Sequence, residues 1–179
     1  MKIIAFVGMP ASGKSEASAV ARSLNIPVVS MGDAVREEAA RRGLPPTDEN
    51  IGGTGTKLRR EEGMEAIARR CVPKIRTLNS PVVVVDGTRN IEEIDYFRQQ
   101  FGDDFKLIAI YAPFQLRFER AKYRARSDDI CTADELKKRD EREKGWGLDK
   151  AIEKADITIK NINSLEKFKE EIKKIFDAL

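Results

Sequence analysis

Histidine is absent from all 179 residues. That absence removes Ser-His and Cys-His catalysis, the commonest metal ligand and the commonest general base at neutral pH. Any chemistry must therefore run on charges, carboxylates and bound metal. Cysteine is scarce: Cys71 and Cys131 lie far apart and outside any C-x-x-C spacing, which predicts two reduced thiols and neither a zinc site nor a redox pair. No apolar run approaches membrane-spanning length, and the residues before Gly8 leave no room for a signal-peptide core, so a cytoplasmic chain with no membrane partner is expected. An excess of one charge is also lacking. Lysine plus arginine number 33 against 30 aspartate plus glutamate, so the overall balance calls for neither DNA nor RNA, and any anion site must be local. Glutamine occurs only at Gln99, Gln100 and Gln115 in a chain that is 35% charged, a bias seen in heat-adapted proteins.

What is present is enough apolar residue, 41%, for one domain spanning residues 1–179. Residues 2–7 read as a buried strand ending at a glycine, and Ser12 to Leu24 as the helix after it. Val28 to Ser30 make a short strand, and Asp33 to Arg42 a helix closed by Gly43. The stretch to Thr56 is rich in Gly, Pro, Thr and Asn and reads as a moving loop, centred on Gly52 to Gly55. Leu58 to Leu78 reads as one long amphipathic helix that Pro73 bends. The successive valines Val82 to Val85 need burial on both faces, as in the middle of a parallel sheet. Further strands at Phe105 to Tyr111 and Ile157 to Lys160 alternate with helices at Ile91 to Phe101, Phe114 to Arg126, Ala133 to Lys144 and Ser164 to Leu179. This order predicts a three-layer α/β/α fold around a parallel five-stranded sheet. Phe97, Phe101, Phe118, Phe168 and Phe176 fall on apolar helical spacing and are assigned to the core.

Gly8-Met9-Pro10-Ala11-Ser12-Gly13-Lys14-Ser15 matches G-x-x-x-x-G-K-[ST] at every fixed position, between a strand and a helix as that phosphate loop requires. The glycines let the backbone curl so that successive N–H groups face phosphate oxygens, and the helix N-terminus adds its positive dipole end. Lys14 is assigned to the β- and γ-phosphates of ATP and Ser15 to Mg²⁺. Asp86, at the C-terminal end of the valine strand, lies at the sheet edge where α/β ligands bind and is the second metal candidate. Asp33 is either a first-turn acid of its helix or, with no histidine available, an acceptor-side general base. Arg117, Arg120 and Arg124 share one helix face, with Arg126 just beyond. They either clamp polyphosphate or form a solvated basic surface. Trp146, between two glycines, is an anchor or a substrate contact.

A guanine-reading N-K-x-D is missing, which argues against a GTPase. Val29-Ser30-Met31-Gly32-Asp33-Ala34-Val35-Arg36 resembles the acceptor segment of adenylate kinases, and Asp86-Gly87-Thr88-Arg89 resembles their D-G-x-x-R element. In that resemblance Asp33, Arg36 and Arg89 serve the acceptor and Asp86 lies near the metal. Tyr111-Ala112-Pro113, the arginines from Arg117 to Arg126 and Ala155 to Asn161 are similar to the lid helix and last strand of dephospho-coenzyme A kinases. With its R-D-E-R-E string at Arg139 to Glu143, nearly the whole chain resembles an archaeal group of adenylate-kinase-related, dephospho-coenzyme-A-kinase-like P-loop proteins. The resemblance implies an acceptor region at about residues 31–78, a lid at about 117–147, catalytic roles for Lys14, Asp33, Arg89, Arg117, Arg120 and Arg126, and transfer of the γ-phosphoryl of MgATP to a nucleotide-type acceptor, a nucleoside monophosphate or dephospho-coenzyme A. The rival reading is an ATP-hydrolysing assembly factor acting on a protein, RNA or ribosomal partner. It takes its motive from Asp128-Asp129, acid where phosphate-closing lids are basic.

Overall fold

The computed structural model describes residues 1–123 and 132–178. Apolar, β-branched runs form β1 (Lys2–Val7), β2 (Val28–Ser30), β3 (Val82–Thr88), β4 (Phe105–Tyr111) and β5 (Ile157–Lys160). All pairings are parallel, in the order β2-β3-β1-β4-β5. Parallel strands need crossovers that lay helices on both sheet faces, so their side chains are buried whichever way they point. Ile3, Ala5, Val83, Val85, Leu107 and Ala109 enter one core, while Ile4, Phe6, Val84, Ile108 and Ile110 enter the other.

The second core is closed by α1 (Lys14–Ser23) and α9 (Leu165–Asp177). The first is closed by α2 (Met31–Arg41), α3 (Asp48–Glu62), α4 (Ala66–Arg76), α5 (Ile91–Phe101) and α8 (Leu148–Glu153). Between them in the chain, α6 (Phe114–Lys122) and α7 (Ala133–Gly145) meet through Ala121 and Leu136, against Ala11 of the phosphate loop. Phe97, Phe168 and Phe176 are core residues as expected, and Phe101 and Phe118 pack partly buried at its margins. Each fully buried phenylalanine contributes about 1.5–3 kcal/mol. Cys71 is a buried free thiol whose pKa burial pushes up to about 12, whereas Cys131 lies outside the described residues.

Two expectations need correction. The glycine-rich stretch is not a loop: α3 starts at Asp48, capped by the Thr47 side chain, which accepts from the Asn50 amide at 3.2 Å. Nor is there one helix over 58–78, because Gly63 (φ 102°) ends α3 in a conformation that side chains resist, and α4 starts afresh with Pro73 inside it. Helix α8 was too short to be read from spacing.

Candidate functional site

The chain leaves β1 at Gly8 and turns into α1 at Gly13. A Cβ at Gly8 would collide with the Ile110 carbonyl of β4, and one at Gly13 with the Asn161 amide. Glycine is therefore fixed here by close approach as well as by the left-handed φ of 116° at Gly13. Ala11 also has a left-handed backbone (φ 60°), a strain of about 1 kcal/mol that the curl imposes. The Lys14 ammonium folds back to donate to the carbonyls of Gly8 at 2.6 Å and Met9 at 3.0 Å. Burial lowers its pKa to about 8, although Glu143 and Asp86 pull it up.

In front of the loop lies a cleft of about 520 Å³, open at its mouth. The phosphate loop contributes Pro10, Ala11, Gly13, Lys14 and Ser15, and Asp86 and Gly87 come from the end of β3. Across from them stand Ser30, Gly32, Arg36, Arg89, Arg139 and Glu143. Parallel register produces this meeting, since Asp86 sits beside Phe6 of β1 and Ser30 of β2. Glu143 is a second carboxylate in the cleft, one for which the sequence suggests helical salt bridging with its arginine neighbours and no place in the site. It pairs with Arg89 at 3.1 Å and accepts from Arg139 at 3.2 Å. Burial alone would raise its pKa, but Arg89, Arg139 and Lys14 outweigh that and hold it at about 2. The i, i+4 spacing of Arg139 and Glu143 was visible in the sequence, but their arrival beside Lys14 was not.

Arg89 is held from behind by a buried network. Its amide donates to Glu93 at 2.7 Å, and the same carboxylate receives Arg59 at 2.7 Å with both side chains almost wholly buried. Asn90 caps α5 by accepting from the Glu93 amide at 2.7 Å. Beyond Arg89 the cleft continues into a smaller chamber of about 370 Å³ between α2, α3 and α7, walled by Arg36, Arg59, Arg139, Arg142 and Trp146. Arg142 grips Asp48 with two hydrogen bonds of 2.9 Å.

On the other side of the loop is a pocket of about 1020 Å³ lined by Gly13, Ser15, Arg120, Tyr123, Asn161, Asn163 and Leu165. Arg120 donates to the Asn161 carbonyl at 3.0 Å, and the Asn161 amide donates to the Ser12 carbonyl at 2.9 Å. Arg120 thus stands on this side of the loop, and two further catalytic candidates line neither the cleft nor this pocket. Asp33 is exposed and pairs with Arg36 at 3.0 Å, outside the cleft lining. Arg117 is buried, paired doubly with Asp140 at 2.9 and 2.7 Å and donating to the Pro10 carbonyl at 3.0 Å, so it braces the loop from behind. Arg124, Arg126 and Asp128-Asp129 lie outside the described residues.

A parallel sheet whose central strand delivers a phosphate loop to a helix N-terminus, with arginines facing it across a cleft, defines the α/β P-loop kinase fold. A shikimate kinase from Bacteroides thetaiotaomicron shares it with a TM-score of 0.66 over 98% of each chain at 16% identity. Residues 7–137 match the family model described as AAA domain. The chain is 53% identical over 177 residues to the UPF0200 protein of Methanosarcina acetivorans, covering 99% of this chain and 95% of that one. It is 59% identical over 177 residues to the UPF0200/UPF0201 protein of Archaeoglobus fulgidus, but spans only 55% of that longer relative. This chain belongs to the UPF0200 group of that AAA-domain family. Among the described residues, no helix is long and apolar enough to cross a membrane.

Proposed function

We propose that the protein is a cytoplasmic, magnesium-dependent kinase that transfers the γ-phosphoryl group of ATP to a small anionic acceptor. One observation carries this reading: a single cleft joins Lys14, Ser15 and Asp86 of the donor side to Arg36, Arg89 and Arg139 of the acceptor side. The triphosphate is assigned to the phosphate loop, and the adenosine to the large pocket beside Arg120 and Asn161. Lys14 already rests on the loop carbonyls, where it is placed to exchange them for phosphate oxygens. Ser15 and Asp86 offer one hydroxyl and one carboxylate oxygen, a donor set that suits Mg²⁺ because the remainder of its shell comes from phosphate and water. Held by Ser15 and Asp86, the ion would supply positive charge that offsets the negative charge of the transferring group.

The protein's own contribution is positioning and fixed positive charge, which supply most of the catalysis in phosphoryl transfer. Arg89 and Arg139 are held ready by Glu143 without having to be ordered during the reaction. The family resemblance points to a nucleotide-type acceptor, and a shikimate kinase with the same fold widens the choice to small hydroxy acids. Calorimetry with MgATP tests the donor half, because Lys14→Ala should bind at least about a hundredfold more weakly, the loss of one charge-assisted phosphate contact and its support. Unchanged affinity in that variant ends the assignment. The assembly-factor reading uses the same donor site. ADP released without any phosphorylated product, and faster with RNA or ribosomal fractions, would favour it.

A further inference from the structure

The kinase reading leaves the acceptor open, and the chamber between α2, α3 and α7 narrows it. Its walls carry five guanidinium groups, Arg36, Arg59, Arg89, Arg139 and Arg142, with Val35 and Ile51 as the aliphatic side chains among them. A nucleobase acceptor needs an apolar slot or a free aromatic face on which to stack, and the chamber's aromatic ring is Trp146. That ring already carries Arg59 at 4.4 Å from its centroid, with Arg89 and Arg142 each at 5.8 Å. Its indole N–H donates to Thr56 at 3.2 Å. Displacing Arg59 to admit a base would strip the fully buried Glu93 of its partner.

Helix α3 is shaped for this arrangement. A Cβ at Gly52 would overlap the Arg142 guanidinium, and one at Gly55 would come within 3.3 Å of Arg59. Arg142 can lie against the helix because Gly52 is there, Arg59 folds along its own helix past Gly55, and both take up space that a base would need.

We propose, resting on the kinase reading, that the acceptor is a small non-nucleotide hydroxy compound bearing a carboxylate or phosphate group, which Arg139 and Arg142 read while its hydroxyl faces the phosphate loop. Arg139 and Arg142 converge on Asp48, at 3.4 and 2.9 Å, and the Asp48 side chain is one-third exposed at the chamber's rim. An acceptor's oxyanion exchanges with this accessible carboxylate, keeping both cations partnered. In the transfer, the acceptor hydroxyl oxygen bonds to the γ-phosphorus and its proton leaves to water. The bond to the bridging oxygen breaks, with its electron pair staying on ADP.

The test is calorimetry on the full chain loaded with MgADP. Glycerate, malate and glycerol 3-phosphate serve as anionic probes, and AMP, CMP and dephospho-coenzyme A as nucleotide probes. At least one anionic probe should bind, Arg142→Ala should weaken it tenfold or more, and Arg142→Lys, which keeps the charge but not the forked geometry, should recover part of the loss. Binding of no anionic probe, binding indifferent to Arg142, or a nucleotide probe that competes with the acids overturns the inference while the donor reading stands. A chain that fails to bind MgADP at all overturns the kinase reading, and this inference with it.

Discussion

The Lys14 ammonium is partly buried in the loop, and that desolvation lowers its pKa from 10.5 to about 8 before any nucleotide arrives. Phosphate oxygens would restore the charged form, so binding should take up protons where the free protein has lost them. MgATP calorimetry in two buffers of different ionisation heat should agree at pH 7 and diverge at pH 9; equal heats at pH 9 would remove Lys14 from the phosphate site. For stability the sign is opposite to that of a paired lysine. The unfolded chain holds this proton up to pH 10.5 and the folded chain releases it near 8, so the Lys14 contribution to folding improves as pH rises through that window. Glu143 behaves in the reverse manner. With its pKa depressed to about 2, it stabilises the fold fully above its ordinary value of 4.5 and progressively less as pH falls from there. Glu143→Gln leaves two partly buried guanidinium groups, Arg89 and Arg139, short of an anion and should cost about 1–3 kcal/mol at pH 7. Urea unfolding at pH 7 and pH 3 should show that gap narrowing in acid. A gap that is constant with pH would mean the loss comes from packing, not charge.

Helix α3 shows how local propensity misleads when a distant side chain decides. Gly52, Gly53 and Gly55 within one short stretch read as a loop, since each glycine costs a helix about 1 kcal/mol relative to alanine. The helix forms regardless because Thr47 caps it and Leu58 and Arg59 are buried on its inner face. Gly55 makes room for Arg59 of the same helix, but Gly52 serves an arginine that arrives from elsewhere, Arg142 of α7, ninety residues on, and no periodicity in α3 reveals that. Gly53 differs, being exposed with nothing near where a Cβ would go. Gly53→Ala should therefore stabilise the protein by about 0.5–1 kcal/mol in chemical denaturation. Gly52→Ala should forfeit that gain, because its methyl group displaces Arg142 from Asp48. Equal stabilisation by the two substitutions would show that Arg142 moves aside at no cost.

Across the whole molecule, what was legible is what local chemistry specifies. Parallel strands are apolar on both faces, so Ile3 to Val7 and Val82 to Val85 announced themselves, and the fixed spacing of the phosphate loop located Lys14 and Ser15. Pairs between residues far apart in the chain left no such mark. Arg117 reads as one of several arginines on a basic face, yet the fold buries it against Asp140 and the Pro10 carbonyl, tying α6 and α7 to the back of the phosphate loop. A brace and a phosphate contact respond differently to loss of the partner. Asp140→Asn leaves the Arg117 charge buried and underpaired, so a brace predicts a loss of about 3–5 kcal/mol in urea unfolding. MgATP affinity of the folded protein should then stay within about threefold of the original, less than 1 kcal/mol. Saturating MgATP should restore part of the loss, about 2.7 kcal/mol at a hundred times the dissociation constant, because the ligand binds only the folded state. If Asp140→Asn instead left stability untouched and changed nucleotide affinity severalfold, Arg117 would be reaching phosphate from a site this structure does not give it.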